Sequence, residues 1–154
     1  SQLSVARSCV TPPGTATSTK KGSYNVAVEA SHLLVESAYT KGKGLGLYAK
    51  AAIADGNPNP IRGSLVGGIA GHAIVPGRPL DYFGVGYYFY NFSNELQDAV
   101  APVGSFNDEQ GVEAYYVFSV TPWLRLSADL QWVNPATGAY KSMWLGGLRA
   151  RLAF

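Results

Sequence analysis

Charge is what this sequence has least of. Of its 154 residues, 14% are Asp, Glu, Lys or Arg, against roughly 25% in an ordinary soluble domain. So low a charge fraction excludes a disordered tail and a coiled coil, and a formal net charge of +2 leaves no basic field for a nucleic-acid backbone. One cysteine, Cys9, excludes an intrachain disulfide and a cysteine zinc site; it reads as a bystander thiol. Long hydrophobic runs are missing too. Apolar types make up 47% of the chain, yet no stretch supplies the roughly 20 apolar residues of a spanning helix. The longest charge-free segment, Gly63 to Gly77, carries Gly67, Gly68, Gly71 and Pro76, which spoil a helix. No basic-then-apolar leader opens the chain, and Ser1 to Ser4 reads as a mature start or a cut into a longer protein. HExxH, GxSxG, CxxC and Walker patterns are absent, so neither an enzyme nor a bound cofactor is expected. An apolar chain without spanning helices fits one membrane architecture, the closed β-barrel.

What is present supports it. Period-two patterns recur over Tyr24–Val35, Gly44–Ile53, Ile61–Ala73, Tyr82–Phe92, Gly111–Val120, Trp123–Val133 and Met143–Phe154, with Ser1–Val10 as a weaker eighth strand. Strands of about 10 residues suit a tilted membrane crossing. Pro58, Pro60, Pro76, Pro79, Pro122 and Pro135 all fall in the joints, where a missing N–H harms no ladder. Helical periodicity is confined to one turn over Asn94–Val100. The fold class read from this pattern is all-β, a single domain over 1–154 forming an antiparallel transmembrane β-barrel of about eight strands.

The strand faces differ in polarity. Leu124, Leu126, Ala128, Leu130 and Trp132 share one face of their strand, and Arg125, Ser127, Asp129 and Gln131 the other. A soluble barrel holding an apolar ligand would alternate in the same way, with the apolar face inward. Scarcity of charge, and aromatics near strand ends, favour the apolar face outward. The membrane-interface aromatics are then Tyr82, Trp132, Tyr140, Trp144 and Phe154. The interior candidates are Glu29, Tyr48, Lys50, Arg62, Tyr88, Glu113, Tyr115, Arg125, Asp129, Gln131, Arg149 and Arg151, with Glu113 expected beside Arg125 and Asp129 beside Arg149. Arginine, carboxylate and tyrosine groups on that face would suit a polar solute.

Other motifs read as structure. Gly42, Gly44 and Gly46 lack dinucleotide spacing and serve strand bending. Asp55–Pro60 offers oxygen atoms to calcium, but turn chemistry explains it. His32 and His72 have no partner at metal-ligand spacing, and Lys20, Lys21, Lys41 and Lys43 are turn lysines within reach of anionic lipid.

Three blocks are similar to a known family. Gly46–Pro60 (GLYAKAAIADGNPNP), Val75–Tyr88 (VPGRPLDYFGVGYY) and Glu113–Gln131 (EAYYVFSVTPWLRLSADLQ) resemble the carbohydrate-selective porins, the OprB family. The resemblance runs from about Tyr24 to Phe154. It implies a 16-stranded barrel in the bacterial outer membrane, passing small carbohydrates by passive diffusion, with outer-membrane lipid as its surroundings. On that reading this chain is the C-terminal half, and the remaining porin strands and the inward-folded constriction loop lie outside it. Phe154, preceded by Leu152, resembles the C-terminal signal that such barrels present to their insertion machinery. The rival expectation is a self-contained eight-stranded outer-membrane barrel with a structural or adhesion role and no open pore, since so small a barrel fills its own interior.

Overall fold

The computed structural model describes residues 2–4 and 22–153. The readings placed on Cys9, Lys20, Lys21, Phe154 and the remainder of the 1–10 strand lie outside these residues. Within them run β1 (Gln2–Ser4), β2 (Asn25–Glu36), β3 (Gly44–Ala54), β4 (Ile61–His72), β5 (Tyr82–Phe92), α1 (Asn94–Val100), β6 (Glu109–Ser119), β7 (Leu124–Asn134) and β8 (Met143–Leu152). The seven long strands match the period-two segments to within one or two residues at each end. Turn residues bound them: the N–H of Ser93 donates to the Pro60 carbonyl oxygen, and the Ser93 hydroxyl caps α1 by accepting from the Leu96 N–H at 3.2 Å.

All strands join one antiparallel sheet in chain order, β1 to β8. Each is paired to the next, with bulges between Leu33 and Val35 and between Ile61 and Gly63. Among the described residues nothing pairs β8 with β1, so the sheet is open. An 11-residue strand such as β7 extends roughly 36 Å, and a tilt of about 40° reduces its reach along the membrane normal to roughly 28 Å, close to the height of a barrel's apolar band. No helix among the described residues is long and apolar enough to cross a membrane.

Directly opposed residues in an antiparallel ladder point to the same side, so the register sorts every strand residue onto one of two faces. One face carries Val28, Ile53, Leu65, Val85, Leu126, Leu130 and Leu148, all exposed, Leu148 to 89%. The buried apolar residues among those described are Ala54, Ala73, Val117 and Ala136. A soluble domain of this size buries Leu, Ile and Phe instead. The expectation of a soluble barrel with Leu124, Leu126 and Leu130 packed inside is therefore set aside.

The two ends of the sheet are built differently. One end carries α1 and the segments 55–60, 93–108 and 135–142 (the helix end). The other carries 37–43, 73–81 and the tight turn 120–123 (the short-turn end). At the short-turn end the connections are tied into one rim. The Ser37 hydroxyl donates to the Ala73 carbonyl oxygen, and the Ala73 N–H donates to the Asp81 carbonyl oxygen at 3.0 Å. Asp81, 2% exposed, is the hub. Its carboxylate accepts from Arg78 Nε at 2.8 Å, the Tyr116 hydroxyl at 2.7 Å and the Ser119 N–H at 2.8 Å. Arg78 also donates to the Ser119 carbonyl oxygen at 3.2 Å, with its guanidinium 3.6 Å from the centre of the Phe118 ring. Burial alone would raise the pKa of Asp81, but the hydrogen bonds from Arg78, Ser119 and Tyr116 outweigh it and hold the carboxyl below its ordinary 3.8.

Candidate functional site

The polar face is a grid, with rows running across the strands. From the short-turn end, the first row holds Arg151, Arg125 and Ser119, and the second Arg149, Ser127, Val117, Tyr82 and His72. The third reads Gly147, Asp129, Tyr115, Gly84, Ala70 and Gly46. In the fourth stand Leu145, Gln131, Glu113, Gly86, Gly68, Tyr48 and Ser31, and the fifth includes Tyr88, Lys50 and Glu29. Arg62 is skipped at the bulge between Ile61 and Gly63 and has no ladder partner. The register brings the other eleven interior candidates to one face. Eleven residues, among them Glu113, Tyr115, Arg125, Asp129, Gln131, Arg149 and Arg151, line a hollow of about 310 Å³ there.

Glycines give this face its relief. A Cβ on Gly84 would stand 2.7 Å from the Tyr115 ring, one on Gly111 would stand 2.6 Å from the Tyr88 ring, and one on Gly86 would stand 2.5 Å from the Tyr48 hydroxyl. Tyr115 and Tyr88 are the cross-strand partners of Gly84 and Gly111, so each ring leans over the bare backbone of the next strand. Three tyrosines thus lie along the wall and leave the space in front of it clear. Asp129 likewise lies over Gly147. Sequence reasoning gave Gly84, Gly86, Gly111 and Gly147 no role and missed this nesting, which becomes visible only when the register is known.

Replacing Gly84 with Val should drive Tyr115 off the wall. The expected cost is about 1–3 kcal/mol of stability from overpacking, with a narrower passage. Solute flux through the intact porin-like assembly and its urea midpoint check both.

The expected ion pairs do not form. Glu113 is opposed to Gln131, while Arg125 is opposed to Ser119 and Arg151, so five residues of β6 lie between Glu113 and the level of Arg125. Asp129 is opposed to Gly147 and sits diagonally to Arg149. Both carboxylates instead accept from Gln131 Nε2, each at 3.4 Å.

Residues 2–154 match the family described as carbohydrate-selective porin, OprB family. The chain belongs to the OprB porin family. Among solved structures, the high-pH structure of OprB from Pseudomonas putida superposes with a TM-score of 0.75 at 20% identity, covering 86% of this chain and 36% of that one. No curated protein matches. The chain spans little more than a third of that OprB structure, and the OprB porins place it in the bacterial outer membrane.

The aromatics expected at the membrane interface divide between the two faces. Trp132 and Trp144 are cross-strand partners on the apolar face towards the helix end, Trp144 being 68% exposed. Tyr140 lies in the 135–142 connection at the same end and is exposed. Tyr82 is a correction: it is paired with His72 and Val117 and lines the polar hollow, so it is no membrane-interface residue. Its strand is aromatic on both faces, which hid the parity. In the Asp55–Pro60 segment the Asn59 amide donates to the Asp55 carboxylate at 2.8 Å, a turn contact, and no cluster of three metal-ligating side chains occurs among the described residues. His32 falls on the apolar face and His72 on the polar one.

Proposed function

We propose that this chain forms part of the wall of a passive diffusion channel for small sugars, its polar face lining the lumen and its apolar face meeting outer-membrane lipid. The observation that carries this is the sorting of the two faces. Glu29, Tyr48, Lys50, Tyr88, Glu113, Tyr115, Arg125, Asp129, Gln131, Arg149 and Arg151 share one side, and Val28, Leu65, Val85, Leu126, Leu130 and Leu148 share the other. A neutral polyol needs many weak hydrogen-bonding partners in sequence, since a channel must release what it admits. Carboxylates, a carboxamide and tyrosines nested on glycine provide them.

Among the described residues β1 and β8 do not pair, and the reading takes further strands to close the barrel in preference to a self-contained eight-stranded one. In outer-membrane barrels the longer connections face outward and the tight turns face the periplasm, so the helix end is assigned to the exterior. Phe154 is proposed as the contact for the insertion machinery on its resemblance to that signal.

Liposomes carrying the intact porin that contains this chain should swell faster in glucose than in an oversized oligosaccharide. Equal rates would overturn the reading.

A further inference from the structure

We propose that the short-turn end of the polar face holds an anion subsite, formed by Arg125, Arg149 and Arg151, which takes the negatively charged group of an acidic monosaccharide while the polyol body lies towards Tyr115. This rests on the channel reading above and names a solute class beyond neutral sugars.

Three observations converge. First, Arg125 and Arg151 are direct cross-strand partners, and Arg149 stands one position further along β8's polar face, opposite Ser127. Opposed residues of this kind have Cβ atoms about 5 Å apart, and like charges so placed repel. None of the three makes an ion pair among the described residues. Such an arrangement is relieved by an anion between the guanidinium groups, each of which offers two parallel N–H donors to a carboxylate or phosphate.

Second, the nearby carboxylates are already engaged elsewhere. Asp129 and Glu113 lie one and two rows further into the barrel, where the Gln131 amide gathers them, and Asp129 is seated over Gly147. Glu36, beyond β3, accepts from the Gly42 N–H at 2.8 Å. Lys43 borders the same stretch of wall as Arg125 and adds to its positive side, while at the rim the Asp81 carboxylate is taken by Arg78.

Third, the dimensions suit the solute. Neighbouring rows on one face are two residues apart along a strand, or roughly 7 Å, which is about the distance from the acid group of a six-carbon sugar acid to the far side of its body. An anion held between rows one and two would set the hydroxyls against Asp129, Gln131 and the Tyr115 ring, all bordering one hollow of about 310 Å³.

A carboxylate and a phosphate monoester share this chemistry, so both are tested. Proteoliposomes carrying the intact porin are held at zero membrane potential, and entry of labelled gluconate, glucose 6-phosphate and glucose is measured. At least one anion should enter faster than glucose, and the faster of the two shows which acid group the site prefers. R125Q/R149Q/R151Q should lower that anion-to-glucose ratio by about fivefold, with heat-modifiable mobility confirming the folded barrel. The single variant R151Q, read in the same way, gives a smaller drop if the triple variant does not assemble. Glucose entry without preference for either anion, or a ratio unmoved by the substitutions, overturns the subsite alone. Failure of glucose itself to enter overturns the channel reading.

Discussion

Leu148→Arg should sharply reduce the folded fraction of the porin in membranes, at a cost of about 2–4 kcal/mol. Leu148 lies midway along β8, opposite Ala128, on the apolar face, and is 89% exposed. In water a substitution at so exposed a site would change stability by no more than about 0.5 kcal/mol. A large penalty can come only from a hydrocarbon environment that does not solvate the guanidinium group. The difference between these values makes this position a direct reading of which face meets lipid. Folded fraction against urea in lipid vesicles, followed by heat-modifiable mobility, is the measurement. A variant as stable as the parent would show that the apolar face does not contact the bilayer.

Asp81→Asn should cost about 2–3 kcal/mol, because a nearly buried carboxylate that accepts charged and neutral donors is replaced by a group with one acceptor atom. Arg78 Nε, the Tyr116 hydroxyl and the Ser119 N–H all converge on it, so no rotation of the amide satisfies the three donors together. The pH dependence follows from the lowered pKa of Asp81. A carboxyl whose folded pKa lies below its unfolded one contributes stability that is fully present above the unfolded value and is lost as pH falls through the folded one. The gap between parent and variant should therefore hold steady from neutral pH to about 4 and close below it. Urea midpoints of both proteins from pH 7 to 2.5 test this, and a gap independent of pH would remove the carboxylate from its place at the hub.

The strands were legible because a two-residue period in apolar character is a local property, visible in β3 as Leu45, Leu47, Ala49, Ala51 and Ile53. The shared face of eleven interior candidates followed from the same alternation, with Arg62 at a bulge outside the ladder, and the helical turn at Asn94–Val100 was read from its break in that pattern. Register was not legible, because it depends on which residue of one strand meets which of the next, and glycine-rich strands such as β4 carry little pattern to fix that. Hence Glu113 was matched to Arg125 rather than to Gln131, and the seats of Tyr48, Tyr88 and Tyr115 went unseen. Tyr82 was misplaced for a related reason: Tyr, Phe, Gly and Val alternate in β5 without a polar face to mark inside from outside. The Asp81 hub joins the 73–81 connection to Tyr116 and Ser119 of β6, far away in sequence, and no local signal announces it.

The tyrosines that lean on glycine have a mechanical consequence. A ring propped against the backbone of the adjoining strand cannot retreat further. In a channel lined by this face, the upper limit of the calibre would thereby be set by main-chain geometry. Widening it would demand that whole strands slide past one another, so the passage should behave as a fixed gauge, indifferent to which solute is inside.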